Sequence, residues 1–242
     1  MSVAALGLGW GLMPACAEST INVDLQPGPS GATHSTEHSG QGALADPGQN
    51  VWNVVAPPVD GYTSAWGSGG NFSFPDTYSS GGLVDSSGGL TRVNLTVHRG
   101  DPLGTTFAVN PENAWPYSHL ADNAKNLMKD YLIAPGGGTN AVVISGLVPG
   151  AKYTLCLYGA GDQNTHQTTF IVGGASQTTA GVPHEGSHNL TEGVDFVLFA
   201  GVEAAGGTVT IQYTGAGKSR DGNFNGLQVR GERPALTPEV EP

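Results

Sequence analysis

The sequence predicts an all-β chain: an antiparallel β-sandwich of the jelly-roll kind, with long glycine-rich loops and one short helix. Three observations carry this. Short β-branched and aromatic runs alternate with polar residues, as Val209, Ile211 and Tyr213 do with threonine and glutamine. Glycine (38 residues) and proline (16) recur between these runs, where tight turns need them. Only one segment has clear helical spacing.

The organising stretch is Ala141 to Gly159. Val142, Val143 and Ile144 form one strand, Pro149-Gly150 turns the chain, and Tyr153 to Tyr158 return it. In the return strand Tyr153, Leu155 and Leu157 face one way, and Thr154, Cys156 and Tyr158 the other. Both faces are apolar enough to place the hairpin inside the sandwich.

The opening segment, residues 1–17, is apolar and ends in Ala15-Cys16-Ala17, a small-residue cleavage pattern. It reads as a signal peptide whose positive leader is missing, so its start is read as truncated or misassigned. A secreted protein, extracellular or at the cell surface, is expected. Residues 18–231 form one sandwich domain, and 232–242 a flexible tail rich in proline and acid. The charge of −11, with no Lys or Arg before Arg92, argues against nucleic acid or anionic membrane as partners. No other segment is long and apolar enough to span a membrane. With the signal removed, Cys156 is the single thiol and reads as a small core residue.

In chain order, Ile21 to Leu25 alternates and is the first strand. Gln26 to Asn50 is a long loop. Val51 to Val55 is a strand ended by Pro57-Pro58. Gly61 to Gly82 is Gly/Ser-rich but carries Tyr62, Trp66, Phe72, Phe74 and Tyr78. Leu90 to His98 is a strand with Val93, Leu95 and Val97 inward. Ser118 to Ile133 is the helix, with Leu120, Ala124, Leu127, Met128 and Tyr131 on one face and Pro135-Gly136 as its stop. Thr168 to Val172, Asp195 to Phe199, Thr208 to Tyr213 and Phe224 to Val229 complete the strands.

From Ile144 to Asp162 the chain resembles secreted bacterial β-sandwich domains related to the galactose-binding-like and malectin-like jelly rolls. The resemblance continues in Phe170 to Thr179, Leu190 to Val202, Phe224 to Val229 and Ile21 to Leu25. It implies a jelly-roll fold and, often, non-catalytic sugar binding. The residues that carry it are turns and core strands, so it assigns no site residue.

Four constellations could carry chemistry. His184-Glu185-Gly-Ser-His188 is a literal HExxH, which in zinc peptidases puts two imidazoles one helical turn apart with a glutamate as base. Here Pro183, Gly186 and Ser187 oppose a helix. His34-Ser-Thr-Glu37-His38 has the inverted order in an equally poor helical context. In the first, Glu185 would be the catalytic residue beside zinc held by His184 and His188; the two loops together would make a four-ligand site of His34, His38, His184 and His188 suited to zinc, copper or nickel. Asp221, Asn223 and Asn225, followed by Gly226 and Glu232, match a calcium-loop spacing, although strands flank it. Asp162, Gln163, Asn164 and His166, with Trp66, Trp115 and Tyr117 as candidate stacking aromatics of which Trp66 and Trp115 read as exposed, are the side chains that hold sugars: amides and carboxylates at the edge, rings on the face.

The function expected is therefore a secreted, non-catalytic carbohydrate-binding or surface and matrix interaction module. Its partner would be an extracellular polysaccharide or glycan, with calcium bracing the fold. One alternative is a zinc-dependent hydrolase using residues 184–188. A second is a structural surface protein that self-associates through edge strands.

Overall fold

The computed structural model describes residues 18–26, 38–46, 50–56, 77–98, 106–109, 122–161, 165–181, 189–218 and 220–234. Its strands are β1 (Glu18–Leu25), β2 (Trp52–Val55), β3 (Thr77–Ser79), β4 (Asn94–His98), β5 (Thr106–Val109), β6 (Asp130–Ala134), β7 (Thr139–Ser145), β8 (Lys152–Tyr158), β9 (Thr168–Val172), β10 (Ala175–Thr178), β11 (Phe196–Glu203), β12 (Val209–Gly215), β13 (Gly222–Phe224) and β14 (Gly226–Glu232). Among the described residues one α-helix, α1 (Asp122–Lys129), precedes β6, and a short 3-10 turn (Pro135–Gly137) follows it. The chain is the mostly antiparallel β-sandwich that its alternating runs predict.

One sheet has the order β11-β8-β14-β1-β2, and the other β10-β9-β12-β7-β4-β3. A small sheet, β13-β6-β5, closes one end. The first sheet is mixed, because β2 runs parallel to β1 while the other pairs are antiparallel. The last strand lies between β8 and β1, with Val229 opposite Leu155 on one side and Ile21 on the other.

The core forms between the inner faces of the two large sheets. Ile21, Val23, Leu155, Leu157, Leu227 and Val229 of one meet Leu95, Val97, Val142, Ile144, Ile211 and Tyr213 of the other, all buried. Phe224 packs edge-on to Phe170 and Tyr213 at 5.0 and 5.3 Å and plugs the end near the small sheet. Each such ring removes a large apolar surface from water, which is the dominant favourable term in folding.

The five-stranded sheet is covered on its outer face as well. There Ala124, Leu127 and Met128 of α1 join Cys156, Tyr158 and Phe196 in a second apolar cluster, with Leu44 and Trp52 packed against it. This is why β8 is apolar on both faces. Residues 38–46 form a strap across this face, held by strand side chains that bond its backbone. Trp52 Nε1 donates to Gly40 O (2.8 Å), and Tyr158 Oη accepts from Ala43 N (2.6 Å). Arg230 Nη2 donates to Ala45 O (2.7 Å). Gln228 bonds Leu44 at both its N–H (2.8 Å) and its carbonyl (3.1 Å).

Cys156 is a free thiol in this cluster, as its strand context indicates. Burial is the main force raising its pKa well above the usual thiol range, and a neutral thiol is a poor nucleophile. A thiol reagent should therefore leave the native protein unlabelled at neutral pH and label one site in denaturant, assuming residues 1–17 are absent. Prompt labelling of native Cys156 would show that the outer cluster opens.

The helix expected over Ser118 to Ile133 is shorter at its C-terminal end. Residues 130–134 leave it to form β6, which pairs with both β5 and β13. Tyr131-Leu132-Ile133 suits a strand by its aromatic and β-branched content, and two partner strands outweigh the helical spacing. The closing strand is also divided: Asn225 breaks it into β13 and β14. Strands β3 (Thr-Tyr-Ser) and β10 (Ala-Ser-Gln-Thr) are too short and polar to stand out in the sequence, and β5 (Thr-Phe-Ala-Val) is a four-residue run without alternation.

Candidate functional site

At the end of β8 the chain passes through Gly159-Ala160-Gly161 toward Asp162, Gln163 and Asn164, which lie outside the described residues. This passage runs beside Asn223-Phe224-Asn225. His166, the one described residue of the sugar stretch, therefore comes beside Asn223 of the calcium stretch, both over Gly161 at one rim of the sandwich.

The contacts are close. Ala160 N donates to Asn225 Oδ1 (2.8 Å), and Asn225 Nδ2 donates to Met128 O (3.0 Å) at the end of α1. Thr168 Oγ1 accepts from Asn223 N (2.7 Å) and donates to Asn223 O (2.8 Å). Thr179 Oγ1 in turn donates to Gly159 O (2.6 Å). A Cβ on Gly159 would come within 2.6 Å of the Phe170 ring. A Cβ on Gly161 would overlap Asn223 Nδ2 and His166 Nδ1, so the amide and the imidazole crowd the same point. Only glycine leaves them that space.

The Asn223 amide stands apart within this network. The residue is fully buried, yet neither Nδ2 nor Oδ1 has a hydrogen-bond partner. Buried polar groups are nearly always satisfied, and leaving one unmet costs about 1–3 kcal/mol. His166, beside it over Gly161, is 9% exposed.

The three calcium-spaced residues do not act alike. Asn225 directs its oxygen at Ala160 N, and Asp221 Oδ1 accepts from Gly136 N (2.9 Å). Glu232, the last position of the spacing, sits at the far end of β14 opposite Glu18. An extended strand rises about 3.3 Å per residue, which puts Glu232 roughly 20 Å beyond Asn225. A single loop wrapping an ion with Asp221 and Glu232 is therefore not formed. Among the described residues, no three His, Cys, Asp or Glu side chains gather as a metal site.

Of the zinc set, His34, His184, Glu185 and His188 lie outside the described residues, as do Trp66, Trp115 and Tyr117. His38 is described. It is 4% exposed, stands edge-on to Trp52 with ring centroids 4.5 Å apart, and has no hydrogen bond at either ring nitrogen. Its backbone N donates to Asp24 Oδ2 (3.0 Å), which also accepts from Gln26 Nε2 (2.9 Å). Burial pushes the imidazole pKa down to about 4; the nearby Gln41 backbone pulls weakly the other way.

A polar cleft of about 250 Å³ opens at the opposite end of the five-stranded sheet, lined by Glu18, Ser19, Thr20, Ala45, Asp46 and Arg230. The sequence did not signal it, because its walls come from both ends of the domain and from the strap. Arg230 is committed there to Thr20 Oγ1 (3.1 Å) and Ala45 O. No helix among the described residues is long and apolar enough to cross a membrane.

No protein-family model matches the chain, and no curated protein matches it. Among solved structures it is similar to the CBM36-1 domain, a carbohydrate-binding module, of a multidomain xylanase from the hindgut metagenome of Trinervitermes trinervoides. That match has 15% identity over 41% of this chain and 77% of that domain, with a TM-score of 0.29. It is similar to a CBM35 module from Cellvibrio japonicus at 13% identity over 51% of this chain and 85% of that module, with a TM-score of 0.30. It also matches an exo-β-1,3-galactanase from Phanerochaete chrysosporium, solved with galactose, at 17% identity over 65% of this chain and 30% of that one (TM-score 0.32). Likenesses this distant carry no argument about the site.

Proposed function

We propose that the chain is a non-catalytic carbohydrate-binding module acting outside the cell, and that it binds at the rim where Gly161 and His166 lie beside Asn223. The observation that supports this most is the convergence there of Gly161, His166 and Asn223. Amide, imidazole and a flanking Asp162-Gln163-Asn164 sequence offer donors and acceptors in alternation, and sugar hydroxyls need both. Trp66, Trp115 and Tyr117 belong to the same reading as stacking surfaces. Calcium belongs to it only as a brace: two of its three expected ligand side chains already accept backbone N–H groups.

The test is affinity electrophoresis and calorimetry against soluble galactan, xylan and dextran, with and without calcium. At least one polymer should retard the protein, and His166→Ala should weaken that binding about tenfold, equal to roughly 1.4 kcal/mol. No retardation by any glycan would end this reading.

A further inference from the structure

We infer that the Asn223 amide is a built subsite for one hydroxyl group of the bound sugar, and that Gly161 is glycine because a Cβ there would displace that amide and the His166 ring. This rests on the glycan-binding reading above. It adds the residue that selects the ligand.

Asn223 is anchored through its backbone, whose N–H and C=O both bond the Thr168 hydroxyl at 2.7 and 2.8 Å. Its side chain takes no part in holding the fold. The neighbouring Asn225 gives the contrast: equally buried and two residues away, it uses both ends of its amide on the backbone of Ala160 and Met128. One amide of the pair is structural and the other is held ready. A carboxamide with a free N–H and a free C=O side by side fits a group that accepts and donates at once. A sugar hydroxyl does this. A carboxylate or phosphate, acceptor-only when ionised, would leave Oδ1 unmet, and an ammonium group would leave Nδ2 unmet.

Asn223 is fully buried, so the hydroxyl reaches its amide only when the His166 ring, which crowds the same point over Gly161, moves aside. A site that hydrogen-bonds a hydroxyl rejects the analogue lacking it, because the buried amide is then left unpaired again. Asn223 should therefore discriminate deoxy-sugars from their parents rather than add affinity for every glycan.

The experiment compares wild type, Asn223→Leu and Asn223→Ala for glycan binding and for melting temperature in the absence of ligand. Leucine has nearly the shape of asparagine without its polar ends. Binding should fall more than about tenfold while the melting temperature stays level or rises, since an unmet amide is removed. If Asn223→Leu does not fold, the alanine variant gives the same comparison.

Each other outcome counts against the inference. A wild type that binds no glycan fails the functional reading itself. A wild type that binds, with both variants binding as well, leaves that reading intact and overturns the role of Asn223. Loss of binding together with a melting temperature lower by several degrees would mean that the amide supports the fold through an ordered water. A melting temperature raised by calcium in wild type but not in Asn223→Leu would assign the amide oxygen to a cation instead.

Discussion

Gln228→Ala should lower the stability of the folded protein by about 4 kcal/mol. Gln228 is 1% exposed and projects from the outer face of β14 under the strap. Its Oε1 accepts from Leu44 N at 2.8 Å and from the Tyr158 hydroxyl at 2.6 Å. Its Nε2 donates to Asn22 Oδ1 at 2.8 Å and to Leu44 O at 3.1 Å. Alanine leaves four polar groups from three segments without this partner, and water entering the gap recovers only part of the loss. Urea denaturation at neutral pH measures the change. Hydrogen exchange at Leu44 should quicken at the same time, because its amide loses its acceptor. A loss below about 1 kcal/mol, with Leu44 still protected, would show that the strap is held by other contacts.

Acid should destabilise the protein by about 3 kcal/mol through His38 alone, between pH 6.5 and pH 4. The sign follows from which state takes up the proton. In the unfolded chain His38 binds a proton near its ordinary value of 6.5; in the fold it resists until about 4. Below pH 6.5 the unfolded state holds more protons, so stability falls as pH drops through this window and levels off beneath it. The physical cause is the closed, water-poor environment beside Trp52, where an imidazolium has no hydration. Replacing the ring by phenylalanine removes the titrating nitrogens and keeps the edge contact. Stability curves of wild type and His38→Phe should run parallel above pH 7 and separate steadily down to pH 4. Curves that stay parallel throughout would show that solvent reaches the ring.

Much of the fold is legible in the sequence because strand faces write themselves as alternation. Tyr153, Leu155 and Leu157 point inward and Cys156 and Tyr158 outward, as their spacing says, and both sides are buried because α1 and the strap cover the second. The pattern fails where spacing is ambiguous. Tyr131 and Leu132 satisfy a helical face and a strand equally well, and the pairing of β6 with β5 and β13 decides the matter from outside the segment. The rim is legible only in pieces. Asp162 to His166 and Asp221 to Asn225 each look polar and turn-rich, but the approach of His166 to Asn223 is a fact of topology. Nor does spacing distinguish Asn223 from Asn225. Which amide holds the backbone depends on where Ala160 and Met128 arrive, and no local pattern encodes that.

The middle position of β14 has a consequence for biosynthesis. Strands β1, β2, β8 and β11 leave the ribosome before the strand that joins them exists. For some seconds the nascent chain carries two apolar ribbons whose shared neighbour has yet to be translated. Chaperones that shield such surfaces would be most needed until β14 emerges, and a chain cut before β14 would aggregate rather than fold in part.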